Sequence, residues 1–146
     1  MNRLDKLISK SPVKIITGIT KASRYYDELA GAYFQHEPAK IVMMSCLRRN
    51  YEKFSYLAHE IQHALCYKGG CFCMGESGSQ YYREYHAFKT QVITCLGYKK
   101  ALKDTIKLIK SVPTDKNLDE SYIHHKKACK NLMKTKLWKL ALKKAK

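Results

Sequence analysis

Residues 56–67, which read YLAHEIQHALCY, constrain the fold more than any other stretch of this chain. His59 and His63 are four residues apart, so on an α-helix they lie on one face about one turn apart. That spacing lets two imidazole nitrogens reach one tetrahedral metal ion, while Glu60 projects to the side and can reach a water molecule there. The opposite face is apolar and consists of Leu57, Ile61, Ala64 and Leu65. The pattern therefore predicts a helix with one metal-binding face and one face buried in the domain.

Length and charge favour a single domain with a basic surface. The chain has 146 residues, enough for one domain with a hydrophobic core, and we treat residues 1–146 as that domain. Lys and Arg number 28 against 12 Asp and Glu, a formal net charge of +16. Such an excess favours nucleic acid, acidic proteins or anionic membrane surfaces as partners, and it carries no information about the fold.

The cysteine and hydropathy patterns predict a cytoplasmic protein. Six cysteines occur, at positions 46, 66, 71, 73, 95 and 129. No long apolar run follows the first charged residues, so no signal peptide is expected, and no apolar stretch reaches the length of a membrane span. Thiols that are not exported are normally reduced, so we expect free cysteines rather than a disulfide framework.

The order of the periodic segments predicts an α+β fold. Alternating or β-branched apolar residues indicate short strands at 13–19, 31–34 and 41–45. Apolar spacing and Gly or Pro boundaries indicate helices at 2–10, 22–29, 50–67, 80–96 and 101–112, and from about 120 to the last residue. The expected architecture is a small twisted β-sheet packed against the helix of His59 and against the helix that follows. The strand at 41–45 is either an ordinary strand or a sheet edge to which an extended peptide adds.

A third metal ligand is expected on the helix at 80–96, because a catalytic zinc usually takes three protein ligands and a water. Glu84 and His86 are the candidates there. Two residues apart on a helix, they point to roughly opposite sides. His86 shares its side with Lys89 and Thr90, which is typical of a solvent-facing surface. Geometry therefore favours Glu84.

The segment around Glu84 resembles a known family. Residues 82–88 read YREYHAF, and an ExxA helix after an HExxH helix is similar to the gluzincin-like zinc metallopeptidases, including small ImmA/IrrE-type and phage-borne members. The resemblance covers roughly residues 40–96. It implies a minimal zincin-like domain with Zn²⁺ held by His59, His63 and Glu84, and Glu60 as the general base that activates water for peptide-bond hydrolysis. Phe88 departs from the pattern, because the family usually has Asp or Asn there to orient a ligand histidine.

Several alternatives remain open. A Spartan/SprT-like, DNA-associated protease would use a histidine as third ligand, and a non-catalytic zinc-bearing module would bind nucleic acid or an acidic partner. Cys66 lies one turn after His63 and is an alternative ligand. Candidates for stabilising the oxyanion are Tyr81, Tyr82 and Tyr85. Three alternatives apply to the basic C-terminal helix: it docks on the core, it lies on a membrane surface or it contacts nucleic acid. His124 and His125 are expected to be solvated.

Overall fold

The helix that carries His59 and His63 is the central element of the fold. In this computed structural model, residues 3–12, 14–19, 31–34, 40–44, 50–69 and 80–146 are described. Helix α2 (Asn50–Gly69) packs along helix α3 (Gln80–Cys95) and also contacts helix α1 (Arg3–Ser9) and a small sheet. The residues of the predicted metal site therefore lie on two adjacent helices, His59 and His63 on α2 and Glu84 on α3.

The sheet has three short strands. They are β1 (Lys14–Ile19), β2 (Gly31–Phe34) and β3 (Lys40–Met44), each within one residue of its predicted position. The order is β1-β3-β2, with β1 parallel and β2 antiparallel to β3. Because β3 is paired on both sides, the hypothesis that this strand is an open edge for an added peptide is wrong.

Helices make up most of the remaining structure. Helix α4 (Lys99–Ser111) leads through a 3₁₀ turn (Val112–Thr114) toward a second one (Glu120–Tyr122), helix α5 (Ile123–Leu132) and helix α6 (Lys136–Lys144). The bounds of α1 to α4 lie within two residues of the predicted ones. The prediction of one continuous helix from about residue 120 is wrong, because the chain breaks between α5 and α6.

Thr135 explains that break. Its Oγ1 donates to the Leu132 carbonyl at 2.6 Å and accepts the backbone N–H of Trp138 at 3.2 Å. A threonine that bonds the backbone on both sides ends one helix and caps the next. Two helices therefore form where the sequence predicted a single one.

The α+β classification is also wrong, because the fold is mostly helical. Among the described residues, α-helices of up to 20 residues contrast with strands of four to six. The larger core cluster is made entirely by the helical segments from α3 onward, with Leu102, Ile109 and Leu132 fully buried. Apolar faces of these helices pack on one another. Among the described side chains, Ile15 of the sheet packs near Ile61 and Ala64 in a smaller cluster.

Some predictions lie outside the described residues. They are the helix at 22–29 and the reduced state of Cys46, Cys71 and Cys73. Among the helices that the structure does describe, none combines the length and the apolar character that a membrane crossing requires.

Candidate metal centre

Helix α2 presents its two faces as the spacing predicts. Ile61 and Ala64 are fully buried against α1 and the sheet, while Leu57 and Leu65 pack beside them. His59 is buried and His63 partly buried on the other face, toward α3. Packing of the apolar face thus directs both imidazoles toward Glu84.

The three side chains predicted as ligands come together. His59 Nε2 lies 3.1 Å from Glu84 Oε1 and 3.1 Å from His63 Nε2. His63 Nε2 lies 3.2 Å from Glu84 Oε2. Ligands about 2.0–2.1 Å from a tetrahedral zinc are about 3.3 Å from one another, which is close to these separations. This group can hold a metal ion.

A chain of buried hydrogen bonds orients His59. The Thr105 hydroxyl donates to the Ala101 carbonyl at 2.8 Å, so it must accept the proton of Ser55 Oγ, 2.8 Å away. Ser55 in turn accepts the Gln91 amide N–H, and the Gln91 carbonyl oxygen then faces His59 Nδ1 at 3.0 Å. A carbonyl oxygen only accepts, so His59 carries its proton on Nδ1 and a neutral ring has a lone pair on Nε2.

The charge of Glu84 complements this arrangement. Burial alone would raise the pKa of its carboxyl group, but the neighbouring histidines, above all His63 and His125, hold that pKa well below its usual range. Glu84 is therefore an ionised acceptor.

Acceptor atoms consequently converge in a buried place. The lone pair on His59 Nε2 points at a carboxylate oxygen, and His63 Nε2 lies within about 3 Å of both groups. Two acceptors at this distance repel unless a proton or a metal cation lies between them. The donor set, two imidazoles and a carboxylate, is one that a divalent transition metal prefers.

Sequence reasoning missed His125, which was expected to be solvated. Its Nε2 lies 3.1 Å from Glu84 Oε1, and its side chain is only 24% exposed. The signal was present in the helical spacing, because His125 is three, four and seven residues before Ala128, Cys129 and Leu132, all of which are fully buried. A histidine on the buried face of α5 should have been counted as a site candidate.

Phe88 and Gln91 of α3 both contact the ring of His59. Phe88 lies edge-on to two histidines, with ring centroids 4.6 Å from His59 and 6.2 Å from His125. Gln91, one helical turn later, contacts His59 Nδ1 and therefore restrains the orientation of that ring.

Of the cysteines that the structure describes, Cys66, Cys95 and Cys129, none joins the group of His59, His63 and Glu84. Cys66 Sγ contacts His86 Nδ1 at 3.2 Å and accepts from Gln62 Nε2 at 3.2 Å. Burial raises the pKa of Cys95 to about 11, and burial together with the charge of Glu84 raises the pKa of Cys129. Protonated thiols are poor metal ligands, so neither residue competes with the imidazoles at neutral pH.

The remaining predicted residues have other positions. Glu60 follows His59 on α2 and is partly buried. Tyr81 accepts a hydrogen bond from Asn131 Nδ2 at 2.7 Å, Tyr82 is exposed, and Tyr85 is partly buried. The structure therefore gives no reason to choose one tyrosine as the oxyanion donor.

No known protein family, curated protein or solved structure matches this chain. The site is therefore interpreted from its own geometry.

Proposed function

We propose that this chain is a zinc-dependent metallopeptidase that hydrolyses peptide bonds, with His59, His63 and Glu84 as metal ligands and Glu60 as general base. The observation that carries the proposal is the convergence of two imidazole nitrogens and an ionised carboxylate in one buried place. Three nitrogen and oxygen ligands from the protein are typical of catalytic zinc, whereas structural zinc sites usually have four.

Each residue has a distinct role in this proposal. A bound Zn²⁺ would polarise a carbonyl group and lower the pKa of water. Glu60 directly follows the ligand His59 on α2, so its carboxylate would be the base beside the site that takes a proton from water. Gln91 holds the His59 ring through Nδ1 and leaves Nε2 for the metal.

Zinc stoichiometry and proteolysis test the proposal separately. We expect about one zinc per chain, by native mass spectrometry, in the wild type and in Glu60→Gln, and much less in Glu84→Ala. Cleavage of denatured, fluorescein-labelled casein should be lost in both variants, because one lacks the base and the other lacks the metal. The matched control is Glu120→Gln, an exposed carboxylate outside the group, which should keep both zinc and activity.

Two outcomes would contradict the proposal. Full zinc occupancy in Glu84→Ala would remove Glu84 from the ligand set. Equal cleavage by Glu60→Gln and the wild type would exclude Glu60 as the general base.

A second candidate is a non-catalytic zinc-bearing module that binds an anionic partner. The supporting observation is the last segment, residues 121–146, which has no Asp or Glu and nine lysines: Lys126, Lys127, Lys130, Lys134, Lys136, Lys139, Lys143, Lys144 and Lys146. All except Lys126 are exposed. Glu60→Gln should leave the affinity of such a module unchanged. A Spartan/SprT-like ligand set gains no support, because His125 contacts Glu84 rather than the two α2 histidines.

A further inference from the structure

We propose that His125 is a positioning residue of the metal centre. Its Nε2–H group donates a hydrogen bond to Glu84 Oε1 and so holds the carboxylate toward His59 and His63. The proposal rests on metal binding by this group and is independent of peptidase activity. It assigns to helix α5 a part in a site that otherwise comes from α2 and α3.

Within the metal group, the contact of His125 among the described residues is with the Glu84 carboxylate. Its Nε2 is 3.1 Å from Glu84 Oε1. Its ring otherwise packs against Tyr122, at 5.1 Å between centroids, and against Phe88. Phe88 contacts the rings of both His59 and His125, so it fills the space beside them. His125 is therefore placed to support a ligand and not to be a fourth one.

The hydrogen-bonding capacity of each group decides where the protons are. A carboxylate only accepts, so a neutral His125 beside it must carry the proton on Nε2. Its Nδ1 is buried, and no group among the described residues accepts a hydrogen bond that would hold a proton there. His59 is the reverse case, because Gln91 keeps its proton on Nδ1. Glu84 Oε1 thus accepts a hydrogen bond from His125 and faces the lone pair of His59.

Helix α5 gives this contact its rigidity. Ala128, Cys129 and Leu132 on the same face are fully buried, and α5 packs against α3. Ordering the Glu84 side chain before the metal arrives reduces the entropy lost on binding, as residues that support metal ligands generally do. The core packing of α5 should therefore contribute to metal affinity.

The test is a comparison of metal affinity in His125→Ala, His125→Gln and the matched control His124→Ala. His124 is the adjacent histidine of α5; its Nδ1 is also buried, and within the part of the chain that the structure describes it has no hydrogen-bond partner and no ion pair with Glu84. Zinc dissociation constants are measured by chelator competition, and visible absorption of the Co²⁺-loaded proteins reports the number and type of ligands. Thermal melting of each metal-free protein verifies folding.

We expect His125→Ala to bind zinc about 10–100-fold more weakly, the usual effect of losing a group that supports a ligand. His125→Gln, which retains an N–H donor, should recover most of this loss, and His124→Ala should match the wild type. The Co²⁺ bands should keep their shape in all four proteins, because the ligands are unchanged.

Different results would overturn different proposals. Equal zinc affinity in His125→Ala and the wild type would refute the positioning role, and so would a changed Co²⁺ spectrum, which would make His125 a ligand. If His125→Ala does not fold, His125→Phe takes its place, because it keeps a ring but has no hydrogen-bond donor: zinc affinity equal to that of the wild type in this variant refutes the role. Metal binding that follows the expected pattern without casein cleavage would refute only the peptidase function.

Discussion

At the scale of single residues, the most informative side chain is Gln91. It is fully buried, and its two polar atoms contact His59 and Ser55. The Gln91 amide accepts a hydrogen bond from His59 and donates one to Ser55, and Ser55 in turn donates to the Thr105 hydroxyl. The hydrogen bond that Thr105 donates therefore determines which nitrogen of His59 carries the proton. A carboxylate in this place would have no donor for Ser55.

Replacing Gln91 by Leu should weaken zinc binding and destabilise the fold. His59 Nδ1 and Ser55 Oγ would both lose a buried partner, at a cost of about 1–3 kcal/mol for each group. Zinc affinity should fall about 10–100-fold because the His59 ring is no longer held in its tautomer. Urea denaturation of the metal-free protein and chelator competition measure the two effects.

Val92→Ala is the control for this prediction. Val92 is the next residue of α3 and is fully buried, but it makes no hydrogen bond to the site. Its truncation should lower the free energy of unfolding through lost packing and leave zinc affinity unchanged. A similar loss of affinity in both variants would show that Gln91 acts through general stability alone.

At the scale of secondary-structure elements, the last helix is docked on the core. Trp138 is only 4% exposed and Ala141 is fully buried, whereas Leu140 on the outer face is 42% exposed. This pattern agrees with an amphipathic helix whose apolar side packs on the domain and whose lysines face solvent. The core-docking alternative is therefore the one that the packing supports.

Trp138→Ala should lower the free energy of unfolding by about 3–5 kcal/mol, the usual cost of truncating a buried aromatic side chain. Leu140→Ala, on the same helix, should change it by less than about 0.5 kcal/mol because the side chain is largely exposed. Urea denaturation followed by circular dichroism gives both values. Equal, small effects would mean that α6 is not part of the cooperative core.

At the scale of the whole molecule, the metal group and the basic surface lie in different places. The metal group is buried between α2, α3 and α5, whereas the acid-free segment 121–146 exposes lysines over α5 and α6. A basic surface of this kind attracts polyanions through counterion release, with an affinity that falls as salt rises.

Binding of a mixed-sequence DNA duplex should therefore depend on α6. Changing Lys136, Lys139, Lys143 and Lys144 to Gln should weaken binding and reduce the slope of log Kd against log salt, by up to about 0.9 for each lost phosphate contact. The matched control changes Lys99, Lys100, Lys107 and Lys110 of α4 to Gln, with the same loss of charge; Lys103 is left unchanged because it lines one pocket together with Lys139 and Lys143 of α6. Fluorescence anisotropy over a salt series measures both, and equal losses would indicate net charge rather than a local surface.

The sequence by itself determined the local features of this protein. Four-residue spacing put His59 and His63 on one helical face, and the two-residue offset between Glu84 and His86 meant that both could not point at one metal. The further expectation that His86 faces solvent was wrong, because His86 contacts Cys66 of α2. The bounds of four helices and three strands also followed from short-range periodicity and from Gly and Pro positions. These properties depend only on neighbours within a few residues, so no tertiary information was needed.

Only the tertiary structure decided which faces meet. The contacts Gln91–Ser55 and Ser55–Thr105 join residues 36 and 50 positions apart, and no local pattern indicates them. The same holds for His125 beside Glu84, for β3 in the middle of its sheet, and for the helical core that made the α+β classification wrong. The physical reason is that spacing along the chain places a side chain on a face, whereas the partner of that face is chosen by the packing of the whole chain.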